Sequence, residues 1–177
     1  MLLGIILLTF VKVYGQQFYA ATDQGLLEQI TITPNGPVSK NVGGCGSGYF
    51  SIALWGNKIY YTEGFFGVLS VADITGGSNP RVTNCNYLAT LPPLSSMTVD
   101  KNGILYMANS TALYKLDPKN PVIVNLGSMP YEASGDLVFY EDKLYMASFA
   151  GIIEVPPNDP SKSKIVIPFT DNVVFYI

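Results

Sequence analysis

No histidine occurs anywhere in the 177 residues, and charged residues make up only 13% of them. Without histidine the chain cannot build a Ser/His or Cys/His nucleophile, and it lacks both the usual general base and the commonest transition-metal ligand. Cysteine is nearly as scarce. Cys45 and Cys85 are the two present, too few for a structural zinc site when histidine is missing. Basic residues number 10 against 13 acidic, the net charge is −3, and no Lys/Arg block is longer than two residues. Phosphate recognition needs a basic footprint, so nucleic acid and anionic membrane surfaces are not expected partners. A span of roughly 20 apolar residues, which a bilayer crossing takes, is also lacking, so no transmembrane segment is expected. Gly43-Gly44-Cys45-Gly46-Ser47-Gly48 has the glycines of a phosphate loop but no following helix or Lys, and reads as a link. Asp100-Lys101-Asn102-Gly103 opens like a calcium loop but lacks its further acidic ligands. A hairpin turn accounts for those residues without an ion. Neither metal nor cofactor is expected.

What the chain does contain is strand and turn chemistry. Twelve Tyr, 9 Phe, 17 Gly and 12 Pro favour short strands joined by tight turns. The stretch Gly48–Glu63 is written three times: Ser51-Ile52-Ala53-Leu54, a turn, then Ile59-Tyr60-Tyr61-Thr62. It returns as Ser96–Val99 with Ile104–Ala108, and as Asp136–Phe139 with Leu144–Ala147. Phe18-Tyr19-Ala20-Ala21 repeats the second strand alone. The equivalent tyrosines Tyr19, Tyr60, Tyr106 and Tyr145 are 41, 46 and 39 residues apart. Periods near forty with several strands each mark propeller blades.

After each tyrosine a third and a fourth strand follow, separated by turns such as Pro34-Asn35-Gly36-Pro37 and Asp117-Pro118-Lys119-Asn120-Pro121. The expected fold is therefore all-β: a β-propeller of about four four-stranded antiparallel blades. Consecutive apolar residues in the inner strands fit sheets covered on both faces. A sandwich would alternate more strictly and would not repeat in register. The units run approximately 17–47, 48–93, 94–132 and 133–169, with the start of another at 170–177. Two arrangements follow from this count. Val173–Tyr176 could supply the missing first strand of the first unit and close a four-blade ring, or the chain is an incomplete portion of a larger propeller. The second is favoured, and it would leave open blade faces suited to self-association.

Residues 1–15 read as a signal peptide. Leu2–Val11 is apolar apart from Thr9, and Val13 and Gly15 suit the positions before a cut. The mature domain, 16–177, is then expected to be secreted or at the cell surface. In that compartment Cys45 and Cys85, one blade period apart, are candidates for a disulfide.

Blade geometry gathers a set of loop residues onto one rim. Glu63, Phe65 and Phe66 follow the second strand of one unit, with Ser110 and Phe149 in matching loops. Tyr49, Tyr131, Glu132 and Asp136 belong to the links between units. Exposed aromatics on a rim suit a protein or glycan partner, although inter-blade plugs would use the same residues. Glu63, Glu132 and Asp136 could alternatively serve as paired carboxylates of a carbohydrate-active hydrolase or lyase. A third reading is a spacer in a longer surface protein.

The unit Gly135–Ala147, with its counterparts at Ser96–Ala108 and Ser51–Thr62, resembles the blades of secreted bacterial propeller modules. The likeness is to the N-terminal regions of large surface proteins that end in a gliding-motility-associated C-terminal sorting domain. It covers roughly Phe18–Phe169, and this sequence has no such sorting domain within it. What the resemblance implies is an exported, non-catalytic adhesion or recognition module.

Overall fold

The computed structural model describes residues 17–22, 24–46, 49–63, 67–77 and 79–169, without the side chains of 49 and 50. The proposed signal segment, Phe65, Phe66 and the Val173–Tyr176 closing strand lie outside the described residues.

Among the described residues fifteen strands form four antiparallel sheets, each a simple meander. The first blade holds β1 (Gln17–Ala21), β2 (Leu27–Thr33) and β3 (Gly36–Gly43). The second holds β4 (Tyr49–Trp55), β5 (Lys58–Glu63), β6 (Val68–Ile74) and β7 (Val82–Thr90). The third holds β8 (Ser96–Val99), β9 (Leu105–Asn109), β10 (Ala112–Asp117) and β11 (Asn120–Ser128). The fourth holds β12 (Leu137–Tyr140), β13 (Lys143–Ser148), β14 (Gly151–Val155) and β15 (Lys164–Pro168). A 3-10 turn at Pro160–Lys162 is the helical element among the described residues.

The inner strand β8 lies against β4 on one side and β12 on the other. The segments that begin near Ser51, Ser96 and Asp136 therefore line a common centre, and the sheets are the blades of a four-bladed β-propeller. The first blade has three described strands, as expected from a unit whose first strand is missing.

Three apolar clusters fill the spaces between successive blades. Ile52, Leu54, Ile59 and Tyr61 of the second blade pack with Leu27 and Val42 of the first. Ala53, Tyr60 and Leu69 point through the opposite face and meet Met97, Leu105 and Met107 of the third. Ala108 and Leu113 of the third blade then meet Leu137, Leu144 and Met146 of the fourth. Successive residues in one strand thus serve different interfaces, which is why the inner strands do not alternate between apolar and polar. Tyr60 and Tyr106 both project toward the following blade, and the Tyr106 ring meets Phe139 edge-on at 5.1 Å.

Turn chemistry follows the residues present. Asp100 Oδ1 accepts the Asn102 and Ile104 backbone N–H groups at 2.8 and 2.9 Å, so this aspartate caps a hairpin. Asp117 accepts the Lys119 N–H at 2.9 Å, and the tight turn lets β11 start at Asn120.

Candidate binding surfaces on the two rims

Strand alternation places loops on two rims. The rim carrying the links between blades also carries the β5–β6, β9–β10 and β13–β14 loops; we term it the link rim. The opposite rim carries the β4–β5, β8–β9 and β12–β13 turns and is termed the hairpin rim.

The sequence-predicted residues that can be described all fall on the link rim, but they do not behave alike. Tyr49 opens β4, where it pairs with Glu63. Glu63 is half-buried and accepts a hydrogen bond from Ser70 Oγ at 3.0 Å. Ser110 donates to Glu132 Oε1 at 3.3 Å, and its carbonyl accepts the Ala133 N–H at 2.6 Å. These contacts tie the β9–β10 loop to the link that enters the fourth blade. Phe149 is 63% exposed. Tyr131 differs: it is half-buried against the cluster between the third and fourth blades, the plugging role that the same residue type also fits.

Asp136 is the electrostatic outlier of this rim. Its side chain reaches water, yet the carboxyl is crowded by neighbouring strands, and this desolvation raises its pKa above the ordinary 3.8. The backbone N–H groups of Leu137 and Met97 bond to it and oppose the shift. Because Met97 belongs to β8, Asp136 also joins the inner strands of adjacent blades.

Cys45 and Cys85 form a disulfide with Cα atoms 5.9 Å apart. Cys45 lies in the link after β3, and Cys85 sits inside β7. There the register shifts between Val71 and Asp73, with Asn84 at φ 54°. Such bulges re-aim a side chain, and this one stands where Cys85 must meet Cys45.

The hairpin rim carries an aromatic cleft that sequence reading missed. It lies between the second and third blades, has a volume of about 290 Å³, and is lined by Trp55, Lys58, Tyr60, Asn102, Gly103 and Asp117, among others. Gly103 adopts φ +84°, and a Cβ there would stand 2.8–2.9 Å from three carbons of the Trp55 ring. The indole therefore lies on the Gly103 backbone, and only glycine permits that approach. At the cleft wall Lys58 Nζ pairs with Asp73 Oδ1 at 2.7 Å, and Asp73 also accepts from Asn84 Nδ2 at 2.9 Å. Those two donors hold the Asp73 carboxyl below its ordinary pKa. Burial pushes the Tyr60 hydroxyl upward, against the opposing pull of Lys58.

A related cleft of about 520 Å³ follows between the third and fourth blades, lined by Asp100, Lys101, Tyr106, Phe139 and Asp142. Asp100 stands there at the end of its inner strand, as Trp55 does one blade earlier. The Lys101–Asp142 ion pair at 2.8 Å crosses between the two turns. Among the described residues no group of three or more His, Cys, Asp or Glu could hold a metal ion, and no helix is long and apolar enough to cross a membrane.

No protein-family model matches the chain, and no curated protein does. Solved structures do match in fold. A glutaminyl cyclase from Myxococcus xanthus aligns with TM-score 0.57 at 19% identity, over 81% of this chain and 63% of its own. A chain of the nidogen/laminin complex aligns with TM-score 0.59 at 16% identity, over 86% and 64%. A gluconolactonase from Xanthomonas campestris aligns with TM-score 0.52 at 13% identity, over 70% and 42%. The chain spans less than two thirds of the length of each. At these identities the likeness concerns the fold, and two enzymes and a protein complex select no single activity.

Proposed function

We propose that the chain is an exported, non-catalytic binding module whose link rim contacts a protein or glycan partner, as the resemblance to bacterial surface-protein blades implies. The observation that carries this reading is Phe149, 63% exposed on the rim that also presents Ser110, Glu132 and Asp136. An exposed aromatic beside hydrogen-bonding groups is the composition of a binding hot spot. Export rests on the apolar Leu2–Val11 run and fits the Cys45–Cys85 bond. The test is a glycan array together with capture of cell-surface proteins, using the mature domain and a Phe149→Ala, Glu132→Ala double variant. Hot-spot truncation costs about 2 kcal/mol, so binding should weaken by a factor of about 30. A partner bound equally by wild type and variant would remove this rim from consideration.

One observation favours a second reading, a carbohydrate-active hydrolase or lyase. Desolvation raises the Asp136 carboxyl in the manner of a general acid. Sugar hydrolysis or elimination by the wild type, lost on Asp136→Asn or Glu63→Gln, would decide for the enzyme.

A further inference from the structure

The cleft on the hairpin rim between the second and third blades is independent of the link-rim reading. Three features distinguish it from a packing gap. Its platform is rigid, because Trp55 is seated on the Gly103 backbone, and yet the indole remains 39% exposed. Its floor carries a hydroxyl that a ligand can hydrogen-bond. That hydroxyl belongs to Tyr60, whose ring is packed between the blades and which lines the cleft. Its charge is balanced: Lys58 is neutralised by Asp73, while Lys119 and Asp117 on the same turn have opposite signs.

These features select a ligand chemistry. A cleft with no net charge has no uncompensated ion to match a phosphate or an ammonium group. Its apolar surface, from Trp55, Tyr60, Val71 and Leu88, requires an apolar ligand face. Tyr60, Asn102 and Asp117 require several hydroxyls on the edge of that ligand. We propose that this cleft binds a neutral pyranose-type sugar, its C–H face laid on Trp55 and its hydroxyls on Tyr60, Asn102 and Asp117. The neighbouring cleft, with Asp100 at the Trp55 position, lacks the platform.

Trp55 is the single tryptophan of the chain, so tryptophan emission, excited beyond the tyrosine absorption, reports on this cleft alone. The mature protein should be titrated with glucose, galactose, mannose and N-acetylglucosamine, each also as its methyl glycoside and as the terminal residue of a trisaccharide. The expected result is a saturable emission change with at least one of these sugars. Equal response to the methyl glycoside or trisaccharide assigns the site to a chain-terminal sugar; response to the reducing sugar alone assigns it to the free form. Tyr60→Phe keeps the ring and removes one hydroxyl, and should weaken binding about fivefold. Asp117→Asn should weaken it by a similar factor, with the melting temperature checked for both variants. No saturable change with any sugar overturns the proposal. A change unaltered in both folded variants, or tighter binding of glucose 6-phosphate than of glucose, does so too.

Discussion

At the scale of the residue, the most informative side chain is Asp136, whose pKa is moved upward by crowding rather than by a charged neighbour. The consequence for stability has a definite sign. A carboxyl with a raised folded-state pKa binds more protons in the native than in the unfolded chain. Its contribution is therefore most favourable at low pH and diminishes as pH rises from 3.8 through the folded value. Asp136→Asn keeps an oxygen that can accept the Leu137 and Met97 N–H bonds and removes the ionisation. The melting temperature of the variant should gain on wild type as pH is raised across that interval. Parallel curves would mean that Asp136 titrates as it would in water. Asp73 has the opposite sign: Lys58 and Asn84 lower it, so what it contributes is lost as pH falls through its depressed pKa.

At the scale of the element, backbone proximity sets the limits of the repeat. Gly151 opens β14 at φ +143°, and a Cβ there would lie 2.1 Å from the Ile167 carbonyl oxygen on β15. A Cβ on Gly67 would lie 2.0 Å from the Leu91 carbonyl oxygen at the corresponding point of the second blade. Gly151→Ala combines a disallowed φ with overlap against backbone, and should cost at least about 1–3 kcal/mol. For a chain of this size each kcal/mol lowers the melting temperature by roughly 2–4 °C, readable by circular dichroism; an unchanged melting temperature would mean that the β14–β15 edge gives way freely. Elements of this kind were legible in the sequence where the chain repeats itself. The three hairpins and the tyrosine spacing located β4–β5, β8–β9 and β12–β13, because strand and turn preferences act locally. The same spacing indicated the Cys45–Cys85 pair. The β7 bulge was not legible, since nothing local in Asn84-Cys85-Asn86 requires it. Nor was the Trp55 cleft: Tyr60 reads as an ordinary strand residue, and Gly103 gains its role only when Trp55, 48 residues earlier, is brought against it. The signal was available in the blade register, which sets both turns on one rim of adjacent blades. For Tyr131 the sequence left the rim and plug readings open, because a link residue's burial depends on the next blade.

At the scale of the molecule, stability is distributed over inter-blade faces. The second and third blades are each packed on both sides by described residues. The fourth presents Val138 at 55% exposure and Tyr140 at 63% on its far face, and the first presents Phe18 at 44%. The first blade has one described apolar interface and three described strands, and it is the unit that the disulfide ties down: Cys45 leaves β3, and Cys85 belongs to the second blade. A crosslink across 40 residues restricts the unfolded chain by about 4 kcal/mol on a chain-entropy estimate. Reduction should therefore lower the melting temperature, but its local effect should be uneven. Hydrogen exchange under reducing conditions should accelerate most in β1–β3, whose docking loses its tether, and least in β8–β10, enclosed by clusters on both faces. Equal acceleration in the first and third blades would show that the bond acts on the unfolded chain alone. Preferential loss in the first blade would show that it also holds the terminal blade against its neighbour.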